Sequence, residues 1–386
     1  NLGFVQAKGW VTGPLVDDRL AASLAVIATS RTGTLRNVDT GTDVNAQDNS
    51  GFRGQLLWQL SDDISLRFVG DYSRQNPECC AQVWTRVAPT LRPAGRQYAA
   101  LAAAFGYVPP STDPFDRLID PDTALQAKQS IGGASVILEW DSGPGTLTSV
   151  TAWRFWDWQP SSDRDFLALP ITTVSANPSQ QTQVTQELRY NGRLTDRLEL
   201  VAGLFYFRQR IRSQGEQEQG SAASLWLLGP TAGSNPALLD GLRQDTTVDY
   251  VATSLAGFGQ LSWKILPDLS IDPGIRLNWD SKKADYQAVA SGGLTPATPA
   301  QQALKNSILA SQAYVADFSD VNVSGTVTVS WNVGRDMLAY FNWSSSFKPG
   351  GINLSGLPTD ALGQPALEAA TVRPEEVGHL ERGLKT

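Results

Sequence analysis

The chain has 386 residues, 31 of them Lys or Arg and 38 Asp or Glu, and this acidic excess without any basic patch argues against nucleic acid or an anionic lipid surface as the main partner. Its longest apolar runs, such as Ala21–Ala28, fall far short of the roughly 18 residues a membrane-spanning helix needs. A helical membrane protein is thereby excluded, whereas a membrane β-barrel stays open, because its alternating strands each carry a weak hydropathy signal.

In chain order, Phe4–Thr12 reads as a strand, Gly13–Asp18 as a turn, and Arg19–Arg31 as a second strand with Leu20, Ala22, Leu24 and Val26 on one parity. After the polar stretch Thr32–Gln47, Phe52, Leu56, Trp58 and Leu60 alternate with Arg53, Gln55 and Gln59. Ser61-Asp62-Asp63 then turns the chain into Ile64, Leu66, Phe68 and Tyr72. The long connection Gln75–Lys128 holds a helical segment at Tyr98–Phe105 and the adjacent pair Cys79 and Cys80. With no second cysteine cluster the pair is not a zinc set and reads as a local loop feature.

The same unit then recurs. Ile131–Trp140 and Thr146–Trp158 flank Asp141–Gly145, Gln181–Arg193 and Leu198–Arg212 flank Leu194–Arg197, and Val251–Lys264 and Leu269–Lys282 flank Ile265–Asp268. Val321–Trp331 has Val and Trp on odd positions and Asn, Ser and Thr on even ones; it meets an aromatic arm, Met337–Phe347, across the turn Asn332–Asp336. A last strand, Thr371–Thr386, has no strand after it. Strand, short turn, strand, long loop, repeated six times, predicts an antiparallel up-and-down sheet of about 13 strands, with short turns on one rim and long loops on the other. Greek-key sandwiches connect differently.

The strand from Leu269 places Leu269, Ile271, Ile275, Leu277 and Trp279 against Ser270, Asp272, Arg276, Asn278 and Asp280. Parity alone does not decide between an apolar face on lipid and one on a second sheet. Trp58, Trp140, Trp153, Trp156, Trp158, Trp263, Trp279, Trp331 and Trp343 sit near strand ends, the placement of interfacial aromatic girdles. By the same parity Glu187, Arg189, Arg276 and Asp280 face a lumen.

Several phrases, in order along nearly the whole chain, resemble the barrel of TonB-dependent outer-membrane receptors: VTGPLVDDRL at Val11–Leu20, GFRGQLLW at Gly51–Trp58, QELR at Gln186–Arg189, VAGLFY at Val201–Tyr206, AGFGQL at Ala256–Leu261, PGIRL at Pro273–Leu277, FKPGGIN at Phe347–Asn353, and RPEE at Arg373–Glu376 with ERGLKT at Glu381–Thr386. Arg382 departs from the pattern, standing where the family has an apolar residue. The resemblance implies an all-β, antiparallel, up-and-down transmembrane β-barrel that is incomplete and open. Residues 1–386 would be its middle part, with nothing similar to a plug domain or an energy-coupling segment. No signal peptide is legible at Asn1–Phe4, so an exported chain is expected to begin downstream of one.

The implied function is energised uptake of a scarce large solute, an iron–siderophore complex, cobalamin or an oligosaccharide, across the outer membrane of a Gram-negative bacterium. Its partners would be outer-membrane lipid, the small-molecule ligand and a TonB-type periplasmic coupling protein acting through a plug, with no cofactor. A passive porin and a soluble β-sandwich binding protein are the alternatives. Ligand contacts are expected from aromatic residues of the long loops: Trp84, Tyr98, Tyr107, Phe115, Phe166 and Trp226. Glu187, Arg189, Arg276 and Asp280 read as structural networks facing the plug. No enzyme is expected, since the single histidine, His379, has no nucleophile elbow near it.

Overall fold

The computed structural model describes residues 3–334, 336–359 and 364–386. Asn1 and Leu2, from the stretch Asn1–Phe4 in which no signal peptide is legible, and Arg335, from the turn Asn332–Asp336, lie outside the described residues. Thirteen long strands follow one another: β1 Val5–Val16, β2 Leu20–Arg31, β3 Gln47–Ser61, β4 Ile64–Gln75, β5 Gln126–Asp141, β6 Gly145–Ser161, β7 Ser179–Thr195, β8 Leu198–Gln219, β9 Arg243–Leu266, β10 Leu269–Ser291, β11 Gln312–Asn332, β12 Leu338–Lys348 and β13 Glu375–Lys385. Each pairs antiparallel with its sequence neighbours, and a short piece, Thr172–Ala176, joins β6 and β8 at their loop ends to complete a fourteen-stranded sheet. Among the described residues, β1 and β13 each have a strand partner on one side.

Short-range chemistry sets the turns. Asp18, between β1 and β2, adopts φ 58°, a left-handed conformation that Asp tolerates through local hydrogen bonding. Gly143 takes φ 87° between β5 and β6, where a side chain would be strained.

The strands differ from the expected ones at several places. β1 continues through Gly13–Val16, expected as turn, with Gly13 opposite Ala22 and Pro14 opposite Ala21. β3 and β5 begin at Gln47 and Gln126, ahead of the expected Phe52 and Ile131. The two larger differences lie at the loop side and at the last strand. On the loop side β8, β9, β10 and β11 run beyond the expected boundaries, to Gln219, from Arg243, to Ser291 and from Gln312. Segments such as Ser213–Gln219 carry no apolar alternation. Their backbone pairing nevertheless continues, with Glu218 opposite Arg243. Ladder bonds need no apolar face, so periodicity is silent there. At the other place, the expected strand Thr371–Thr386 is broken at Pro374, which has no N–H to donate. Thr371–Val372 pairs with Gly351–Ile352, and β13 resumes beyond it against β12.

Register separates the two faces. Leu188, Leu204, Gly257, Leu277 and Val323 form one row on adjacent strands, and Leu204, Leu277 and Val323 are 64%, 51% and 61% exposed. The neighbouring row on the opposite face is Glu187, Phe205, Ala256, Asn278 and Asn322, where Asn278 is 9% exposed and Asp280, two residues on, 6%. Exposed apolar groups on one face, and on the other carboxyl and amide groups of which Asn278 and Asp280 are buried, invert the arrangement of a water-soluble sheet. The long loops pack on one rim around buried clusters, one of them Leu167, Leu169, Ile171 and Ala222. The helix there is Tyr98–Ala104, and Cys79 and Cys80 are joined by a disulfide.

Candidate functional site

The loops bring most of the expected aromatic residues together. Trp84 lies 5.1 Å from Tyr98, and Tyr98 meets the Trp226 ring edge-on at 5.9 Å. Trp84 Nε1 donates to the Phe166 carbonyl at 3.1 Å, and the Tyr107 hydroxyl donates to Asp120 Oδ2 at 2.7 Å. Trp84, Tyr98, Tyr107 and Trp226 pack half-buried against Leu167, Leu169 and Ile171, so their rings hold three loops together. Phe115 stands apart on the short turn Pro114–Asp116 and is 88% exposed. Counting loop aromatics cannot separate these two situations, because the deciding partners, Leu167 and Ile171, are some 80 residues away in sequence from Trp84.

Beside this core lies a group of carboxyls. Asp163 is fully buried and accepts from the backbone N–H groups of Thr123, Asp165 and Phe166. Asp165 accepts from Leu167 and Thr172 N–H. Burial, and then the neighbouring charge of Asp163, nevertheless push the Asp165 carboxyl up to about 7. Burial likewise raises Asp120, with the Tyr107 hydroxyl pulling the other way. Among the described residues no set of three or more His, Cys, Asp or Glu side chains is arranged to hold a metal ion.

A pH dependence follows. The folded value of Asp165 lies above its unfolded value of about 3.9, so its stabilising contribution is complete below about pH 4 and is lost as pH rises through about 7. Amide exchange in 162–172, corrected for intrinsic rates, is expected to show more opening at pH 8 than at pH 5. Asp122→Asn, which removes a nearby charge that raises Asp165, should move the transition to lower pH. A profile that is flat in both proteins would contradict the assignment.

On the polar face, the register puts Glu187, Arg189, Arg276 and Asp280 on one side of the sheet. Arg189 pairs with Glu187 at 3.2 Å. Arg276 Nε donates to Asn278 Oδ1 at 2.6 Å, and its guanidinium lies over the Phe205 and Phe258 rings at 5.6 and 5.4 Å.

Two further groups on this face escape sequence reading. Arg154 on β6 makes a bidentate pair with Asp71 on β4, at 2.7 and 2.9 Å, across the intervening strand β5. Gly133 occupies the row between them, and the Gly132-Gly133 step inside a strand was the available signal. The second group is a run of indoles and amides. Trp156 stacks on Trp158 at 5.3 Å with planes 13° apart, Trp156 Nε1 donates to Gln129 Oε1 at 2.8 Å, and Gln129 Nε2 donates to Gln75 Oε1 at 2.7 Å. Trp156 and Trp158 therefore leave the expected interfacial girdle. They share the polar face with Gln181 and Ser179, whereas Trp153, at the opposite parity, points outward and is 46% exposed. Nearness to a strand end does not specify a face; parity does.

At the loop end of the polar face is a cavity of about 620 Å³, bordered by Trp158, Ser213, Gln217, Gln244, Thr246 and Tyr286 and by Leu354 and Ser355 from the last loop. It lies above the Arg154–Asp71 pair, on the same face as both tryptophans.

Residues 16–378 match the family model described as TonB dependent receptor-like, beta-barrel. Among solved structures, the chain is similar to the ferric yersiniabactin uptake receptor FyuA from Yersinia pestis, with TM-score 0.71 and 16% identity over 99% of this chain and 49% of that one. It is also similar to the siderophore receptor PiuA from Acinetobacter baumannii (TM-score 0.62, 12% identity, 99% of this chain and 52% of that one). A third is the ferric-catecholate import receptor Fiu from K12 E. coli in its closed form (TM-score 0.61, 14% identity, 99% and 53%). The chain thus spans about half the length of these receptors. Among curated proteins no sequence match is found. With its alternating strands, two-faced sheet and family match over most of its length, the chain belongs to the TonB-dependent receptor-like β-barrels.

Proposed function

We propose that residues 1–386 form barrel wall, with no part serving as a plug, in an energised receptor of the Gram-negative outer membrane. That receptor takes up a scarce large solute, of the kind exemplified by an iron–siderophore complex, cobalamin or an oligosaccharide, with energy delivered by a TonB-type periplasmic coupling protein. The observation that carries this reading is the family match over residues 16–378 on a sheet with an exposed apolar face and a polar face opposite it. The outward row through Leu204, Leu277 and Val323 meets lipid. Glu187, Arg189, Arg276 and Asp280 face the lumen and its plug. Phe115 makes first contact with solute, while Trp84, Tyr98, Tyr107, Phe166 and Trp226 hold the loops that present it.

The test is uptake in the native host. Deleting the gene should abolish high-affinity uptake of one scarce solute, and deleting the coupling protein should abolish it equally. Uptake that is indifferent to the coupling protein and limited to small solutes would favour a passive porin and overturn the proposal.

A further inference from the structure

We infer that the cavity at the loop end of the polar face takes a neutral, polyhydroxylated solute of the oligosaccharide class. The inference rests on the receptor reading above and narrows its solute. At about 620 Å³ the cavity falls within the range of small-ligand sites. Its lining offers two kinds of surface. Trp158, stacked on Trp156 at 5.3 Å, supplies apolar ring area, and Tyr286, 6% exposed and stacked on Tyr314 at 4.8 Å with planes 18° apart, supplies a fixed edge of the wall. A ring braced as Trp158 is loses little freedom when a sugar ring packs on it. Gln217, Gln244, Ser213 and Thr246 supply amides and hydroxyls. An amide both donates and accepts, and so does a sugar hydroxyl, so the two match without any charge.

Charge decides against an anionic solute. The two charged side chains that line the cavity are already engaged: Arg164 donates to Gln217 Oε1, and Glu216 pairs with Arg243 at 3.1 Å. The next cations along the face share one row: Arg154 is held bidentate by Asp71, and Lys282 donates to the Gly350 carbonyl and lies over the Phe318 ring. An anionic metal chelate calls for unpaired Arg or Lys in forked geometry, and among the described residues the cavity lining presents none. Gln244 Nε2 is held by the Ala310 carbonyl at 2.7 Å, which fixes its amide and leaves Oε1 as an acceptor. Below the cavity the amides continue: Gln181 lies opposite Trp156, and Gln183 lies opposite Gln209 on the next strand. A neutral hydroxylated chain thus finds hydrogen-bonding partners along its way down the face.

The experiment uses the receptor purified as expressed in its host. It is titrated by calorimetry with a panel of neutral di- to hexasaccharides of glucose, xylose, mannose and galactose, and in parallel with ferric-catecholate and ferric-hydroxamate complexes. At least one saccharide is expected to bind, with Kd changing less than about twofold as salt rises tenfold, because no exposed charge is neutralised. Trp158→Ala should weaken that binding about tenfold or more, and Trp158→Phe, which keeps a flat ring, should recover part of the loss. Gln217→Ala with Gln244→Ala should weaken it comparably, while heat-modified gel mobility verifies that each variant is folded. Failure of every saccharide to bind overturns the inference, as does binding of a ferric complex that Trp158→Ala weakens by the same factor. If uptake of a ferric complex then depends on the coupling protein, the receptor reading survives and the oligosaccharide assignment alone fails. If no uptake depends on it, the receptor reading itself fails.

Discussion

Ile275→Arg is expected to destabilise the receptor in a bilayer by about 2–4 kcal/mol, whereas Val315→Arg should cost about 0–1 kcal/mol. Both residues lie on the outward face and are open, at 63% and 53% exposure, so packing within the protein changes little in either case. They differ in depth. Ile275 is six residues from the start of β10 at Leu269, which at about 3.3 Å per residue and a tilt of about 40° places it roughly 15 Å above the short-turn rim, near the middle of an apolar band about 25 Å tall. Val315 is seventeen residues from the end of β11 at Asn332, about 40 Å up and beyond that band, with Asp285 directly opposite it. A charge at mid-depth must leave water or drag it in, and a charge at the outer level keeps its hydration. Urea-induced unfolding of the two variants reconstituted in vesicles measures the difference. Equal costs would mean that the outward face does not meet lipid.

How far this architecture can be read from sequence depends on what each pattern encodes. Period 2 in Leu269–Asp280 and Val321–Trp331 reports a boundary between two media, and the strands it implies are present with the expected turns at Asp62–Asp63, Asp196–Arg197 and Pro267–Asp268. Where both faces meet polar surroundings, as in Ser213–Gln219, the boundary vanishes and the strand continues unseen. Among the site residues, parity was sufficient for Glu187, Arg189, Arg276 and Asp280, whose face follows from their own strand. It serves equally for Trp156 and Trp158, whose odd separations from Trp153, three and five residues, put them on the face opposite to it. The loop aromatics are different, because whether Tyr98 or Trp226 is braced or free depends on Leu167, Leu169 and Ile171 folding back onto them. That is tertiary information, and Pro- and Ala-rich loop sequence does not carry it.

Gly133→Val is expected to cost on the order of 3 kcal/mol or more, well above the effect of removing the ion pair that the glycine permits. A Cβ at Gly133 would stand 2.3 Å from the Trp153 carbonyl oxygen and 3.1 Å from Arg154 Cα. Both atoms are backbone, so no rotamer relieves the clash and the β5–β6 ladder must open. The same side chain would intrude between Arg154 and Asp71, whose bonds of 2.7 and 2.9 Å cross this point. Asp71→Asn separates the two effects, since it keeps the shape and removes the charge. Its side chains remain part-exposed, 41% for Arg154 and 23% for Asp71, so water screens the pair and the expected cost is only about 1 kcal/mol. Denaturant midpoints for the two variants rank them. Should Gly133→Val prove no costlier than Asp71→Asn, close strand approach is not what the glycine supplies, and the ion pair alone would explain its place in the wall.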